Sequence, residues 1–381
     1  MSDSPIAISA NTAWYVWNFR RPLIRTLRER GYRIVILAPR DPYAEKLVQE
    51  GAEFWDIPME AKGKNPLREL GLLFRYWDAY RKIRPLAALH YTIKPDLYGS
   101  IAARFLHIPV INNVTGLGTV FEKGGPLEIL VRILYRFAFA KAQRIFFQNQ
   151  DDYRLFIDHG LVRKAQTDIL PGSGVDIQRF VPEEFPPIKT DEPFIFLFVG
   201  RLLKAKGVED LIAAAPLVRE KHPNATIVLL GKRDDRDPTS ADPKLLDRGI
   251  GEKLVEYGGI VDDVKPWLTK AHCVVLPSYY REGIPRSLLE AAAMGKPLIA
   301  ADSVGTREPV INGENGFLCE SRNPKDLAEK MIAMIELPPE KLREMGTASR
   351  RLAENRFDER IVLDKYIQNL EVLAPLPPPT D

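Results

Sequence analysis

The sequence predicts an α/β protein of two doubly wound domains, each a parallel sheet covered by helices. Three observations carry this. Short apolar runs alternate with helical patterns almost from end to end, the rhythm of parallel strands joined by helical crossovers. The chain has 381 residues, more than one hydrophobic core usually organises. Near its middle the segment 181–193 holds four prolines and four acidic residues, too much proline for a helix or a central strand. The reading is an N-terminal domain over 1–181 and a C-terminal domain over 182–358.

In the first domain strands are expected at Ile6–Ser9, Tyr32–Leu37, Glu53–Ile57, Leu86–His90, Ile108–Asn112 and Arg144–Gln148. Helical patterns fill gaps between them, at Phe19–Arg30, Leu67–Ile83 and Leu127–Lys141. In the second domain strands read at Phe194–Val199, Thr226–Leu230, Val274–Leu276 and Pro297–Ala300, with helices such as Val208–Lys221 and Ser287–Met294. A last helical pattern at Glu359–Leu373 precedes a Pro-rich tail, 375–381, expected to be disordered. Two open sheets of this kind bind ligands outside the carboxyl ends of their strands, so the functional residues are expected just after strands, at a shared cleft.

Composition narrows the class. No apolar run approaches the roughly 20 residues of a membrane-spanning helix, and residues 1–10 lack the basic start and cleavage site of a secretory signal. The expectation is a cytosolic protein. Cys273 and Cys319 are the only cysteines and lie in no metal-ligand spacing, which argues against a disulfide framework or structural zinc. Residues 1–185 hold 26 Lys and Arg against 20 Asp and Glu, and the remainder holds 28 against 31. The basic half suits an anionic membrane, a polyphosphate ligand or simply solvated surface.

Two motifs carry chemistry. The strand Phe194–Val199 runs into Gly200-Arg201-Leu202-Leu203-Lys204-Ala205-Lys206-Gly207, with a helix beginning near Val208. That arrangement sets Arg201 and Lys206 beside backbone N–H groups able to hold a diphosphate; a basic surface turn is the alternative. The second motif runs from Tyr280 to Pro297 after another apolar strand. Pro285 suits a first helical position and Gly295 a C-terminal cap, with Leu288, Leu289, Ala292 and Ala293 as the apolar stripe. Glu282 then sits in the loop before the helix and Glu290 off the stripe. Two such carboxylates can accept hydrogen bonds from sugar and ribose hydroxyls; alternatively Glu282 is solvated and Glu290 pairs with Arg286.

The ordered set GRLLKAKG, YGGIVDDVKPWLTKAHCVVLPS and EGIPRSLLEAAAMGKPLIAADSVGTREPVINGENGFL, together with GVDIQRF from Gly174, resembles the C-terminal half of the large retaining GT-B glycosyltransferase family numbered four. The resemblance implies two Rossmann-like domains facing a cleft, with a UDP-sugar as substrate and no cofactor; Arg201, Lys206 and the adjacent helix termini could stabilise the leaving UDP without a divalent metal. It implies that Arg201 and Lys206 bind the donor diphosphate, that Glu282 lies near the donor sugar, and that Glu290 holds the ribose hydroxyls. Glu282, Arg201 and Lys206 are thereby the catalytic candidates. Gly200, Gly283, Ile284 and Pro285 match loops against the sugar and phosphates, and Ile260 and Val261 match the stretch lining the base. The final helix, 359–374, is implied to cross back to the N-terminal domain.

The N-terminal half departs from the general family. Asn11 to Arg20 replaces the usual Gly-Gly near the first turn, and Thr115 stands where many members carry histidine. NFRRPL, HYTIKPDLYGS and NVTGLG instead resemble a narrower branch that extends sugars on undecaprenyl diphosphate. Capsule and O-antigen enzymes belong to it, as does an N-acetylgalactosaminyltransferase acting on lipid-linked diacetylbacillosamine. Acceptor-side candidates are Asn18, His90, Lys94, Thr115 and Gly116. His90 ends a strand and is expected to face the cleft, with a satisfied buried histidine as the alternative; Lys94 either meets an acceptor diphosphate or is solvated. Asp234, Asp235 and Asp237 read as a solvated loop rather than a metal site. The helix at 127–140 is apolar around most of its circumference yet carries Arg132 and Arg136, so it is core or lies in an interface. Trp14, Tyr15, Trp17, Phe74, Tyr76, Trp77 and Tyr80 lie near basic residues, consistent with either a membrane face or burial.

The expected activity is transfer of a sugar, an N-acetylhexosamine such as N-acetylgalactosamine, from a UDP-sugar to a polyprenyl-diphosphate-linked sugar. The expected partners are those two substrates and the inner face of the cytoplasmic membrane, with no nucleic acid. A GT-B sugar-nucleotide epimerase and a non-catalytic sugar-nucleotide-binding subunit are the rival readings.

Overall fold

The computed structural model describes residues 4–60, 65–117, 121, 125–186 and 192–375. Within it the chain forms two compact units, Met1–Ser173 with Arg360–Asp381, and Gly174–Glu359.

The first unit is built on a seven-stranded sheet. Its strands are β1 (Ile6–Ser9), β2 (Ile34–Ala38), β3 (Glu53–Asp56), β4 (Ala87–Tyr91), β5 (Val110–Val114), β6 (Arg144–Phe147) and β7 (Thr167–Ile169). All pairs are parallel, in the order β3-β2-β1-β4-β5-β6-β7. β1, β2, β4 and β5 are buried along their whole length, which is why they read as nearly continuous apolar runs. β7 escaped the sequence reading because TDI is a short, half-buried edge with little apolar signal.

Local chemistry sets the helices. Thr12, in extended conformation, caps Ala13–Glu29 by accepting from the Tyr15 N–H at 3.0 Å, so this helix starts well before the Phe19 expected from periodicity. Asn65 caps Pro66–Ile83 in the same way, satisfying N–H groups that a helix start leaves unpaired. The C-terminal helix Glu359–Leu373 buries Val362, Tyr366 and Leu370 in the first unit's core, and the Asn113 amide donates to the Tyr366 hydroxyl at 2.8 Å.

The second unit has six strands, β8 (Phe194–Val199), β9 (Ala225–Leu230), β10 (Glu256–Gly259), β11 (Cys273–Leu276), β12 (Leu298–Ala301) and β13 (Gly316–Cys319). They are parallel in the order β10-β9-β8-β11-β12-β13. β10 and β13 were missed in the sequence because EYGG and GFLC are short partly buried edges. The chain enters this unit at Gly174, ahead of the boundary expected after 181. Val175 pairs with Asp358, its N–H donates to the Phe357 carbonyl at 2.8 Å, and Val175 and Phe180 lie in the second core. Residues 187–191 of the Pro-rich segment and 376–381 of the tail lie outside the described residues.

One acceptor-side expectation is corrected here and the choice at a second is narrowed. His90 does not reach the surface: it is fully buried at the end of β4. Tyr80 donates to its Nε2 at 2.6 Å, and Nδ1 lies 3.0 Å from Asn112 Oδ1 and 3.1 Å from Ser100 Oγ. Each ring nitrogen is thus satisfied by the core, and burial pushes the imidazole pKa down to about 4 against the smaller, opposing effect of Asn112. Lys94 is not solvated, because its Nζ is paired with Glu69 and both side chains are largely buried.

Two outcomes follow from this packing. Leu370→Ala removes a fully buried side chain from the first core, so it should lower that unit's stability to urea by about 2–5 kcal/mol; an unchanged transition would mean the helix does not hold the unit. His90 has a folded pKa below its unfolded value of 6.5, so between these values the unfolded state binds more protons. Stability should therefore fall as pH drops from about 6.5 to 4, by on the order of 3 kcal/mol from this group. Urea titrations across that window should show a shallower slope for His90→Gln; an equal slope would count against a neutral buried ring.

Candidate functional site

β8 and β11 are neighbours at the middle of the second sheet, and the chain leaves them towards opposite edges, to β9 and to β12. The crevice beyond their carboxyl ends is the topological switch point where such sheets bind ligands. Both motifs singled out in the sequence emerge there.

The loop after β8 is held against the loop after β11 by backbone contacts. The Ala205 carbonyl accepts from the N–H groups of Tyr279 and Tyr280, each at 3.1 Å, and Ser278 Oγ lies 3.3 Å from it. Gly207 has φ 75°, and a Cβ there would lie 2.3 Å from the Pro277 carbonyl oxygen, so glycine is required both by conformation and by close approach. On the other flank Gly305, at φ 81°, follows β12 and abuts the Glu282 carbonyl, leaving 2.2 Å for a Cβ.

These contacts bring Lys206 and Glu282 together. Lys206 Nζ donates to the two carboxylate oxygens at 2.7 and 2.6 Å, and Ser278 Oγ donates to Glu282 Oε1 at 2.9 Å. The two side chains are only 14% and 16% exposed, so Glu282 is not a solvated loop charge. Arg201, on the same loop, is exposed. Ser278 and the Ala205 carbonyl are parts of the site that sequence reasoning missed; the available signal was that Ser278 lies two residues beyond the end of β11.

The helix Arg286–Ala293 starts between the Ser287 of the periodic pattern and the Pro285 expected as first helical residue, with Pro285 as its cap, and ends at Met294 before Gly295 at φ 66°. Leu288, Leu289, Ala291, Ala292 and Ala293 are its buried stripe. Glu290 lies off that stripe and accepts from Arg286 Nε at 2.9 Å. Burial raises its pKa, with the Arg286 charge opposing. This first turn carries no acidic residue, whereas the helix Val208–Lys221 begins with Glu209 and Asp210. Acidic side chains offset the positive end of a helix, so the better anion-facing terminus is the one behind Gly283, Ile284 and Pro285, not the one after Gly207. Ile284 is buried, while Ile260, beyond β10, is 71% exposed and Val261 is half-buried. Gly200 N–H donates to the Leu230 carbonyl at 2.9 Å, tying its loop to β9.

The remaining candidates are dispersed. Asn18 donates to the Trp14 carbonyl at 2.9 Å within its own helix, and Thr115 and Gly116 follow β5 as half-buried residues. The acidic loop after β9 is engaged by cations: Lys232 pairs with Asp234 at 2.9 Å, and Arg233 pairs with Asp235 and Asp247 at 2.6 Å each.

Comparison with known proteins fits this geometry. Residues 16–172 match the glycosyl transferase 4-like domain and residues 181–352 match glycosyl transferases group 1. The chain is 28% identical over 367 residues to a Campylobacter jejuni N,N'-diacetylbacillosaminyl-diphospho-undecaprenol alpha-1,3-N-acetylgalactosaminyltransferase, covering 93% of this chain and 94% of the relative. It is 26% identical to a Staphylococcus aureus capsular polysaccharide biosynthesis glycosyltransferase, covering 75% and 76%. Its fold is similar to that of Anabaena HepE crystallised with UDP and glucose, with a TM-score of 0.79, 20% identity, and coverage of 97% and 100%. With the glycosyl transferase 4-like match lying within the first unit and the group 1 match within the second, the chain belongs to the GT-B glycosyltransferases.

Proposed function

We propose that the protein is a retaining, metal-independent transferase that moves an N-acetylhexosamine, such as N-acetylgalactosamine, from a UDP-sugar to a sugar carried on undecaprenyl diphosphate, working at the cytosolic face of the membrane. The observation that carries the reading is the Lys206–Glu282 pair at the switch point with Arg201 exposed beside it. Supporting it, the Campylobacter relative's name specifies an undecaprenyl-linked acceptor, and the HepE structures hold UDP, glucose or UDP-glucose.

The chemistry assigned to these residues is electrostatic. As the bond between the sugar's anomeric carbon and the diphosphate breaks, negative charge grows on departing UDP. Arg201 and Lys206 stabilise it, aided by the acid-free N-terminus of the Arg286–Ala293 helix. The acceptor oxygen forms its bond on the face the UDP leaves, and its proton passes to the departing phosphate, which yields retention without a protein nucleophile. Glu282 orients the sugar and meets positive character at the reacting carbon; Glu290 holds the ribose hydroxyls, exchanging its Arg286 contact for them.

The test is formation of a glycoside, with UDP release, from UDP-N-acetylgalactosamine and a short-chain polyprenyl diphosphate sugar. A panel of UDP-sugars that yields no glycoside would overturn the reading, and interconversion of donors alone would make the protein an epimerase. Arg201→Ala should lower turnover on the order of a hundredfold while leaving the fold intact. Lys206→Ala should do likewise, with some added instability because Glu282 is left unpaired. Near-normal turnover in folded Arg201→Ala would move the diphosphate elsewhere.

The two carboxylates should separate by role. Glu290→Gln should weaken UDP binding by roughly 1–3 kcal/mol, whereas Glu282→Gln should lower turnover at saturating donor more than UDP affinity. Calorimetric UDP titrations paired with initial rates check this; tight UDP binding by Glu290→Gln with loss of binding in Glu282→Gln would reverse the assignment.

A further inference from the structure

The helices Pro66–Ile83, Ser100–Phe105 and Pro126–Phe139 pack side by side on one face of the first unit's sheet. Inward, Leu72, Tyr76, Ala102, Tyr135 and Ala138 are buried. Outward, the layer is unusually apolar. Leu67, Leu70, Phe74 and Trp77 recur at the spacing of one helical face, with Leu67 80% and Phe74 62% exposed. Ile129, Leu130, Ile133 and Phe137 form the matching stripe on the third helix, with Ile129 61% and Ile133 60% exposed, and Phe105 stands out at 62% on the helix between them. Among the described residues, nine of the sixteen exposed large apolar side chains lie on this one layer.

Cations border the stripes. The Arg81 guanidinium lies 5.3 Å from the Trp77 ring centre and that of Arg104 lies 4.3 Å from the Phe137 ring centre. Arg136 and Lys141 are exposed beside and beyond the third helix's stripe. None of these four has a carboxylate partner among the described residues, whereas the carboxylates of the same helices are taken: Glu69 by Lys94, Asp78 by Lys82 and Glu128 by Arg132. Exposed aliphatic and aromatic side chains ringed by cations that no carboxylate among the described residues neutralises, with Arg104 donating to the Phe137 carbonyl, match a bilayer carrying anionic lipid, where the apolar groups enter the acyl boundary and the cations meet phosphates. A second copy meeting this face on itself would set like charges against each other.

We propose that this three-helix face docks the protein onto an anionic lipid surface. The inference rests on the reading of a lipid-borne acceptor for its purpose, and on these side chains for its place.

The test is flotation of the full chain with phosphatidylcholine vesicles, with and without phosphatidylglycerol. The parent should bind the anionic vesicles and be released by salt, and Ile129→Ser/Ile133→Ser should bind at least about tenfold more weakly. Both positions are solvent-facing, so the variant should keep the parent's UDP titration and melting temperature. Arg136→Glu should weaken binding to anionic vesicles while leaving the weak binding to neutral ones unchanged. Failure of the parent to bind anionic vesicles, parent-like binding by the double variant, or a parent dimer that the double variant dissolves would each overturn the proposal. If no UDP-sugar is bound or used yet the vesicle results stand, the transferase reading fails and the lipid-docking face remains.

Discussion

The second unit's switch-point loops are joined through one largely buried ion pair. Lys206 and Glu282 come from loops after β8 and β11, are mostly withdrawn from water, and lie at 2.6 Å. A charge so placed is costly unless it is paired, and removing one partner strands the other. The pair therefore does more than hold two loops together. It keeps a cation at the switch point whose charge is balanced by a carboxylate. Ser278 makes the balance geometric as well as electrostatic, since its hydroxyl touches both the Ala205 carbonyl and the Glu282 carboxylate.

The same logic extends to the neighbouring helix. Arg286 and Glu290 satisfy one another across one helical turn, and burial disfavours the Glu290 charge. Both carboxylates are thus stored with cationic partners. The alternative readings of the sequence, solvated loop charge for Glu282 and intrahelical partner for Glu290, separate here: the first is excluded by burial, and the second describes a real contact that does not exclude a ligand role.

In the first unit the corresponding region is spent on the core. His90, Asn112, Ser100 and Tyr80 close a hydrogen-bonded network beneath the carboxyl ends of β4 and β5. Arg20 is buried as well, its guanidinium 4.1 Å from the Tyr91 ring centre and donating to the Tyr15 hydroxyl at 2.8 Å. The NFRRPL and HYTIKPDLYGS motifs are therefore largely structural where they meet: a buried guanidinium resting on tyrosines and an uncharged imidazole. A polar residue at a strand end is aimed at the crevice only if no side chain from an adjacent helix reaches it first, and Tyr80 and Ser100 do.

The sequence by itself determined the elements whose signal is local. Continuous apolar runs marked the buried central strands, Gly295 marked a helix end, and the order of the GRLLKAKG and EGIPRSLLE motifs marked the family. It could not mark β7, β10 and β13, because short half-buried edges are chosen by the neighbour they pair with, not by their own composition. Nor could it decide partners. Lys206 and Glu282 are 76 positions apart, and only the parallel pairing of β8 with β11 makes their loops adjacent. His90 reads identically as a ligand or a core group until Tyr80 and Asn112 are placed around it. The exposed stripes at Leu67–Trp77 and Ile129–Phe137 carry enough apolar character to pass for core; that they face outward depends on which side of each helix the sheet occupies, and only tertiary packing decides that.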